Sequence, residues 1–329
     1  MNKYINFTEI NFSIGDSMGN QWESSTGRPY VDMRKWPEYN EELVVRGEFL
    51  LDLKWIGSMD RELKEMNKGK RGAPYQFPES LIRLQAVWNQ WISYREIEGM
   101  TRQMVVVCGL PDYNDYTTAN RRVSAIDPSI TLPKQGFVSV SCDGSGMKLN
   151  HAGEYRQYRY KDTKSKKWLR VVITANPYTK DLLFCDVHIE EKGQDSEPKI
   201  AMRHLQKLWE FGYTVDKFWG DGAFDVIDLF NLLEEHGTES AIPLRENASE
   251  NAHGSMRRQR EVFFFQTHCW SDWAREKGYG KRWLGTEVIF SAVKTIFGEK
   301  TKAKSADSAC YEVERRFWAY ETMRKYAKK

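Results

Sequence analysis

The sequence predicts an α/β fold, a mixed sheet flanked by helices, with an all-α segment ahead of it. Three observations predict it. Residues 137–243 read in the order strand, strand, strand, helix, strand, helix, strand. Residues 41–130 carry their apolar side chains at helical spacing. Two of the strands lead into an Asp beside Gly, in Asp143-Gly144 and Gly220-Asp221-Gly222. The expected divisions are a weakly ordered arm at 1–40, a helical domain at 41–130, an α/β domain at 135–304 with an insertion at about 245–280, and a C-terminal helix at 305–329.

Residues 39–66 read as one or two helices through Leu43, Val44, Phe49, Leu50, Leu53, Trp55 and Leu63. The link at 67–72, rich in Lys, Arg and Gly, is either a solvated linker or a phosphate contact. Pro78 opens a helix whose inner stripe is Leu81, Leu84, Val87, Trp88 and Trp91. A second helix at 94–107 is stopped by Gly109 and Pro111. Asp115 caps a third, which carries Arg121 and Arg122. Three such helices suit a helix-turn-helix DNA reader, and equally a small helical bundle.

In the first strand Phe137, Val138, Val140 and Cys142 alternate with Ser139 and Ser141. Gly144-Ser145-Gly146 is expected to break it, so Asp143 is expected where the strand runs out. A carboxylate there suits a cleft, or it caps a turn. The same device at Asp221 favours the cleft, and the Gly neighbours let a ligand approach. Residues 155–173 read as two strands around a turn crowded with Lys161, Lys164, Lys166 and Lys167. That turn either tracks a nucleic-acid backbone or is simply solvated. Strands at 169–175 and 182–189 flank a turn at 176–181. A helix at 196–212 turns Ile200, Leu205, Leu208 and Trp209 inward. A strand at 215–219, a helix at 225–236 and a strand at 239–243 complete the pattern.

Residues 245–280 are polar and basic, with Arg257, Arg258 and Arg260. They also hold aromatics, among them Trp270 and Trp273; these two and Trp283 suit either base stacking or core packing. A helix at 282–297, ended by Gly298, buries Ile289, Val293, Ile296 and Phe297. Glu287, Ser291 and Lys294 fall on another face, with Glu287 and Lys294 about 10 Å apart along the axis. One carboxylate and one ammonium on that line suit a metal and a phosphate together, or an ordinary charged surface. Glu299, beyond the terminating Gly, is the competing acid. Asp181, Asp186 and Asp225 read as supporting acids or caps, and the last helix as packing through Tyr311, Val313, Phe317 and Met323.

Composition narrows the classes. Of 329 residues, 40% are hydrophobic and 13% aromatic, enough for a substantial core. Lys and Arg number 49 against 46 Asp and Glu; the net charge of +3 neither demands nor excludes nucleic acid, so local clusters decide. No apolar run approaches the roughly 20 residues of a membrane span, and the N-terminus shows no secretory apolar segment. Five scattered Cys without a C-x-x-C pair, and six His without an H-x-x-x-H pair, point to free thiols in a reducing cytosol and give no zinc site.

Taken jointly, these motifs resemble the insertion-sequence DDE transposases of bacteria and archaea, in the branch whose catalytic helix carries Tyr, Arg, Glu and Lys at set spacings. Asp143 in SCDGSGMKL matches the first Asp and Asp221 in WGDGAFD the second. Glu287 and Lys294 match the Glu-x6-Lys element, and Tyr279 and Arg282 the Tyr and Arg before it. One residue more than usual separates Arg282 from Glu287. The helical segment upstream is similar to that of the same transposases. The resemblance implies a ribonuclease H-like (retroviral-integrase-like) catalytic domain with a mixed sheet. It implies cutting and joining of DNA with two Mg²⁺ per active site, Mn²⁺ being able to substitute. Asp143 would bridge both ions, Asp221 hold one and Glu287 the other. Tyr279, Arg282, Lys294, Arg121, Arg122, Lys166, Lys167, Arg257 and Arg258 are the expected DNA contacts. The implied partners are double-stranded DNA, as terminal inverted repeats and as target, and a second copy of the chain; the implied location is the prokaryotic cytoplasm, at the nucleoid. A structure-selective nuclease of the same fold that does not join ends, and a catalytically silent DNA-binding factor, are the alternatives. The presence of all three acids argues against silence.

Overall fold

A computed structural model describes residues 35–134, 136–149, 168–190, 193–245, 248–251, 253–303 and 305–328. The expected turn with Lys161, Lys164, Lys166 and Lys167 lies outside the described residues, as does the arm up to residue 34. Helix α1 (Trp36–Glu48) already begins within the stretch expected to be weakly ordered.

Helices α2 (Met59–Asn67), α3 (Glu79–Trp88), α4 (Tyr94–Cys108) and α5 (Tyr116–Ser124) follow. Their ends have local causes. Ser93 and Glu96 form a reciprocal capping box at the start of α4, and Gly109, at φ 65°, ends it. Asp115 accepts from the backbone N–H of Thr117 and Thr118 at the start of α5. Leu81, Leu84, Val87 and Trp88 are buried as expected, whereas Trp91 lies past the end of α3. It is 41% exposed, held by its indole N–H donating to the Ile296 carbonyl at 3.1 Å.

The sheet comprises β1 (Phe137–Lys148), β2 (Trp168–Ala175), β3 (Leu182–Ile189), β4 (Thr214–Trp219) and β5 (Glu239–Ala241), in the order β3-β2-β1-β4-β5. β1, β2 and β3 form a meander in which β2 runs antiparallel to both neighbours; β4 and β5 run parallel to β1. Helices α6 (Glu197–Glu210) and α7 (Ile227–Glu235) form the crossovers β3-α6-β4 and β4-α7-β5. This is the ribonuclease H-like mixed sheet.

Both faces of the sheet are covered. One apolar cluster joins Leu169, Val171 and Ile173 to the N-terminal helices and to helix α11 (Ala306–Ala327). The other joins Val138, Val140 and Val172 to α6 and α7. Double coverage explains why Val171, Val172 and Ile173 of β2 are consecutive buried apolar residues instead of an alternating pattern. It also means that the apolar interior is continuous across residue 130 and across residue 305, where the sequence suggests divisions. On α11, Val313, Phe317 and Met323 pack inward, while Tyr311 is exposed.

β1 does not stop at Asp143. It continues through Gly144-Ser145-Gly146 to Lys148, paired with β2 throughout: Asp143 stands opposite Ile173 and Gly146 opposite Arg170. Gly144 answers a close approach, not a turn. A Cβ on Gly144 would lie 2.2 Å from Glu197 Oε1, whereas one on Gly146 would meet the Trp168 ring at an ordinary 3.4 Å. What ends near Asp143 is the neighbour. The parallel pairing with β4 stops at Ser141 opposite Trp219, and that edge of β1 is next paired at Lys148, which bridges to Lys300.

Candidate active site

The parallel register of β1 and β4 brings two acids together. Ser141 pairs with Trp219, and two residues further along each chain stand Asp143 and Asp221. Asp143, inside β1, stands level with the C-terminal end of β4, beyond which Asp221 follows, and ligand sites of α/β sheets gather at such strand ends. Asp143 is buried, with Oδ1 accepting from the Gly144 N–H at 2.9 Å. Asp221 caps a short 3₁₀ turn, Gly222–Phe224, accepting from the Ala223 N–H at 2.8 Å. The two line one cleft of about 680 Å³ together with Gly144, Arg170, Glu197 and Arg245.

Glu287 does not line that cleft. It reaches Asp143 through Arg282, whose Nη1 donates to Asp143 Oδ2 at 2.9 Å and whose Nη2 stands 3.9 Å from Glu287 Oε1. Residues Trp283–Glu287 form a π-helical turn ahead of helix α10 (Val288–Phe297). A π turn closes i to i+5, so it absorbs one extra residue without rotating Arg282 and Glu287 onto different faces. The unusual spacing between them thus has a structural answer. The turn lies against β1: a Cβ on Gly285 would meet Ser141 Oγ at 1.9 Å and Pro177 Cα at 3.3 Å. Lys294, two turns on, donates to Ser145 Oγ at 2.9 Å on the same strand. Glu299 stands instead at the far end of β1, 3.6 Å from the Lys148 ammonium.

Charge here is poorly balanced. Burial pushes the Asp143 carboxyl up to about 6; Arg282 opposes this, and the negative neighbours Asp221 and Glu287 add to it. Burial likewise raises the Tyr279 hydroxyl, against the pull of Arg282 and with a push from Asp221. Tyr279 packs on Trp270 and Trp273, and its ring centroid is 5.7 Å from the Arg282 guanidinium. The donors at hand are carboxylate oxygens, the kind that suit a hard divalent cation. Among the described residues, no three His, Cys, Asp or Glu close round one point, because the Arg282 guanidinium stands between Asp143 and Glu287.

The other expected DNA contacts are distributed differently. Arg121 is exposed on α5, but Arg122 is half-buried, bonded to Glu79 and to the Phe77 carbonyl and lying over the Tyr75 ring. In the insertion, which forms helices α8 (Met256–Thr267) and α9 (Trp270–Glu276), Arg258 grips the fully buried Asp225 through Nε at 2.6 Å and Nη2 at 3.0 Å. Arg257 lies 3.7 Å from Glu261. Asp186 pairs with Arg203, and Asp181 with Arg324 and Lys328. Trp273 is buried, whereas Trp270 and Trp283 are exposed. Arg170 and Glu197 are additions that the sequence did not single out. They come from β2 and α6, bond each other, and meet in the cleft only through folding.

Among the described residues no helix is long and apolar enough to cross a membrane. No curated protein matches the chain. Among solved structures it is similar to a chain in the cryo-EM structure of a piggyBac transposase synaptic complex with hairpin DNA. That similarity has a TM-score of 0.37 at 9% identity, and covers 87% of this chain and 78% of that one. The family model of the transposase DDE domain matches residues 136–321, from the start of β1 to well into α11. That match takes in more than half of the chain, and the protein belongs to the transposase DDE-domain family.

Proposed function

We propose that this chain cuts DNA at the ends of a mobile element and joins the freed 3′ ends to target DNA, with Asp143, Asp221 and Glu287 holding the metal ions. The observation that carries the reading is the position of Asp143: buried beside Asp221 by strand register and linked to Glu287 through Arg282. Breaking a phosphodiester requires an activated oxygen nucleophile, a stabilised leaving oxygen and relief of phosphate repulsion. Paired divalent cations, Mg²⁺ or Mn²⁺ in its place, supply all three when bound between carboxylates. The protein's own part is positioning. Asp143 and Asp221 fix one wall of the site from the sheet, and Glu287 the other from the π turn. Lys294, held on β1 by Ser145, lies where it can take a DNA phosphate next to the cut. Trp283, exposed beside Arg282, offers a ring face to a displaced base. Two copies would act together, one for each element end.

Asp143→Asn tests the assignment, because it removes one charge and keeps the shape. Nicking of a duplex bearing the element ends should fall by about a hundred- to a thousandfold, the range seen when a key electrostatic group is lost. Binding of that duplex should persist. Mg²⁺-dependent nicking at the wild-type rate would overturn the assignment. Joining of pre-cleaved ends, scored in the wild type, separates a transposase from a nuclease that only cuts.

A further inference from the structure

We infer that Arg282 keeps the place of a cation between Asp143 and Glu287 in the free protein, and that an incoming DNA phosphate draws it off and opens the two acids to divalent metal. The inference rests on the reading above, in which these acids take metal and DNA enters the site.

Three features support it. The guanidinium is shared, bonded to Asp143 and 3.9 Å from Glu287, so it separates the acids it neutralises. It is also incompletely held: its Nε is buried and finds no hydrogen-bond partner among the described residues. A guanidinium with a spare donor gains by meeting a phosphate, which it takes with two parallel N–H donors. Finally, the path outward is short. Trp283, over whose ring the Arg282 guanidinium lies at 5.3 Å, is 55% exposed, so the side chain has an exposed neighbour to follow toward solvent.

The charges decide the sign of the coupling. With Asp143, Asp221 and Glu287 facing Arg282 and Lys294, one negative charge is left over, and a cation is attracted. A divalent ion at Asp143 must nevertheless share the carboxylate with Arg282. DNA that removes Arg282 therefore strengthens metal binding, and metal that displaces Arg282 strengthens DNA binding by the same factor. The protein would load metal mainly when DNA is in place.

The test is a Mn²⁺ titration of the full chain, read by the loss of the free-ion paramagnetic resonance signal, with Asp143→Asn as background. Without DNA, Arg282→Gln should bind Mn²⁺ about tenfold more tightly than wild type, within the usual span of coupling between two sites. Arg282→Lys keeps the charge but is too short to span both acids, and should also bind more tightly than wild type. A mixed-sequence duplex should tighten Mn²⁺ binding by wild type and leave Arg282→Gln unchanged. Should Arg282→Gln fail to fold, Arg282→Lys carries the comparison alone. If Arg282→Lys matches wild type, or all Arg282 forms bind alike while Asp143→Asn binds more weakly, place-keeping is overturned and the metal reading stands. If Asp143→Asn binds Mn²⁺ as wild type does with and without the duplex, the metal reading itself falls, and this inference with it.

Discussion

Arg324 and Arg282 are both buried among carboxylates, and the two surroundings differ in how fully they are paired. Arg324, on α11, donates through Nε to Glu321 at 3.1 Å, through Nη1 to the Thr179 carbonyl at 3.0 Å, and through Nη2 to Asp181. Lys328 adds a second cation to Asp181. Burial pushes the Asp181 carboxyl up, but the Thr179 hydroxyl, Arg324 and Lys328 together hold it below its ordinary value. At Asp143 the balance goes the other way: burial pushes the carboxyl up, and Arg282, which opposes this, faces the two further acids Asp221 and Glu287. The first cluster is a closed lock between α11 and the β2–β3 turn. The second is left short of positive charge, and under the proposed function that shortage is what sets a ligand site apart from a contact that only holds the fold.

The largest expected effect lies in the lock. Arg324→Leu takes the buried partner from Glu321, leaving it only Lys325, and leaves Asp181 with Lys328 alone, which should cost about 3–5 kcal/mol of stability in denaturant unfolding. Divalent cations should not restore it. A loss below about 1 kcal/mol would show that the Arg324 cluster is no better balanced than the Arg282 cluster, and the contrast would dissolve.

The next effect is a pH dependence at Asp143. Its carboxyl titrates near 6 in the fold and near 3.8 without it. Between those values the folded chain holds a proton that the unfolded chain has lost, so stability falls as pH rises through that window. Below about 3.8 the penalty is absent, and above about 6 it is complete, at roughly 3 kcal/mol in the metal-free protein. Thermal unfolding of wild type against Asp143→Asn from pH 4 to 7 should show wild type losing ground steadily to the variant. A flat difference would mean that Arg282 fully neutralises Asp143, and the distinction from Arg324 would vanish.

Much of the site was legible in the sequence because strand register is written in alternation. Val138 to Cys142 shows period two, Val215 to Trp219 is a short run with apolar ends, and each leads into Asp with Gly beside it. What misled was the meaning of Gly144 and Gly146. In sequence a Gly pair marks a break; in the fold both glycines stay in the strand, and Gly144 makes room for Glu197, which comes from another element. Charges were harder still. Arg121, Arg122, Arg257 and Arg258 look alike along the chain, yet Arg122 and Arg258 are spent on Glu79 and Asp225. An arginine that holds the fold and one that waits for phosphate differ only in distant partners, and no local spacing records those. The choice between Glu287 and Glu299 also depended on tertiary packing, since only the π turn approaches Asp143.

That π turn carries the smallest of these effects, confined to one contact. Gly285 lets the turn lie against β1, with Ser141 where a side chain would otherwise be. Gly285→Ala places a methyl 1.9 Å from Ser141 Oγ and 3.3 Å from Pro177 Cα, so the turn must move away from the strand. Overpacking of this kind costs about 1–3 kcal/mol. The displacement is transmitted directly to Arg282 and Glu287, which flank Gly285 on the same turn, so DNA nicking should fall by more than the stability loss accounts for. Ser141→Ala removes the nearer obstacle and should restore part of both quantities in the double variant, whereas it should do nothing for Arg324→Leu. Rescue measured by unfolding and by nicking together would tie the position of Glu287 to the close approach of turn and strand. Additive losses in the double variant would mean that the turn is held from elsewhere, and that the separation of Arg282 from Glu287 is set by the helix alone.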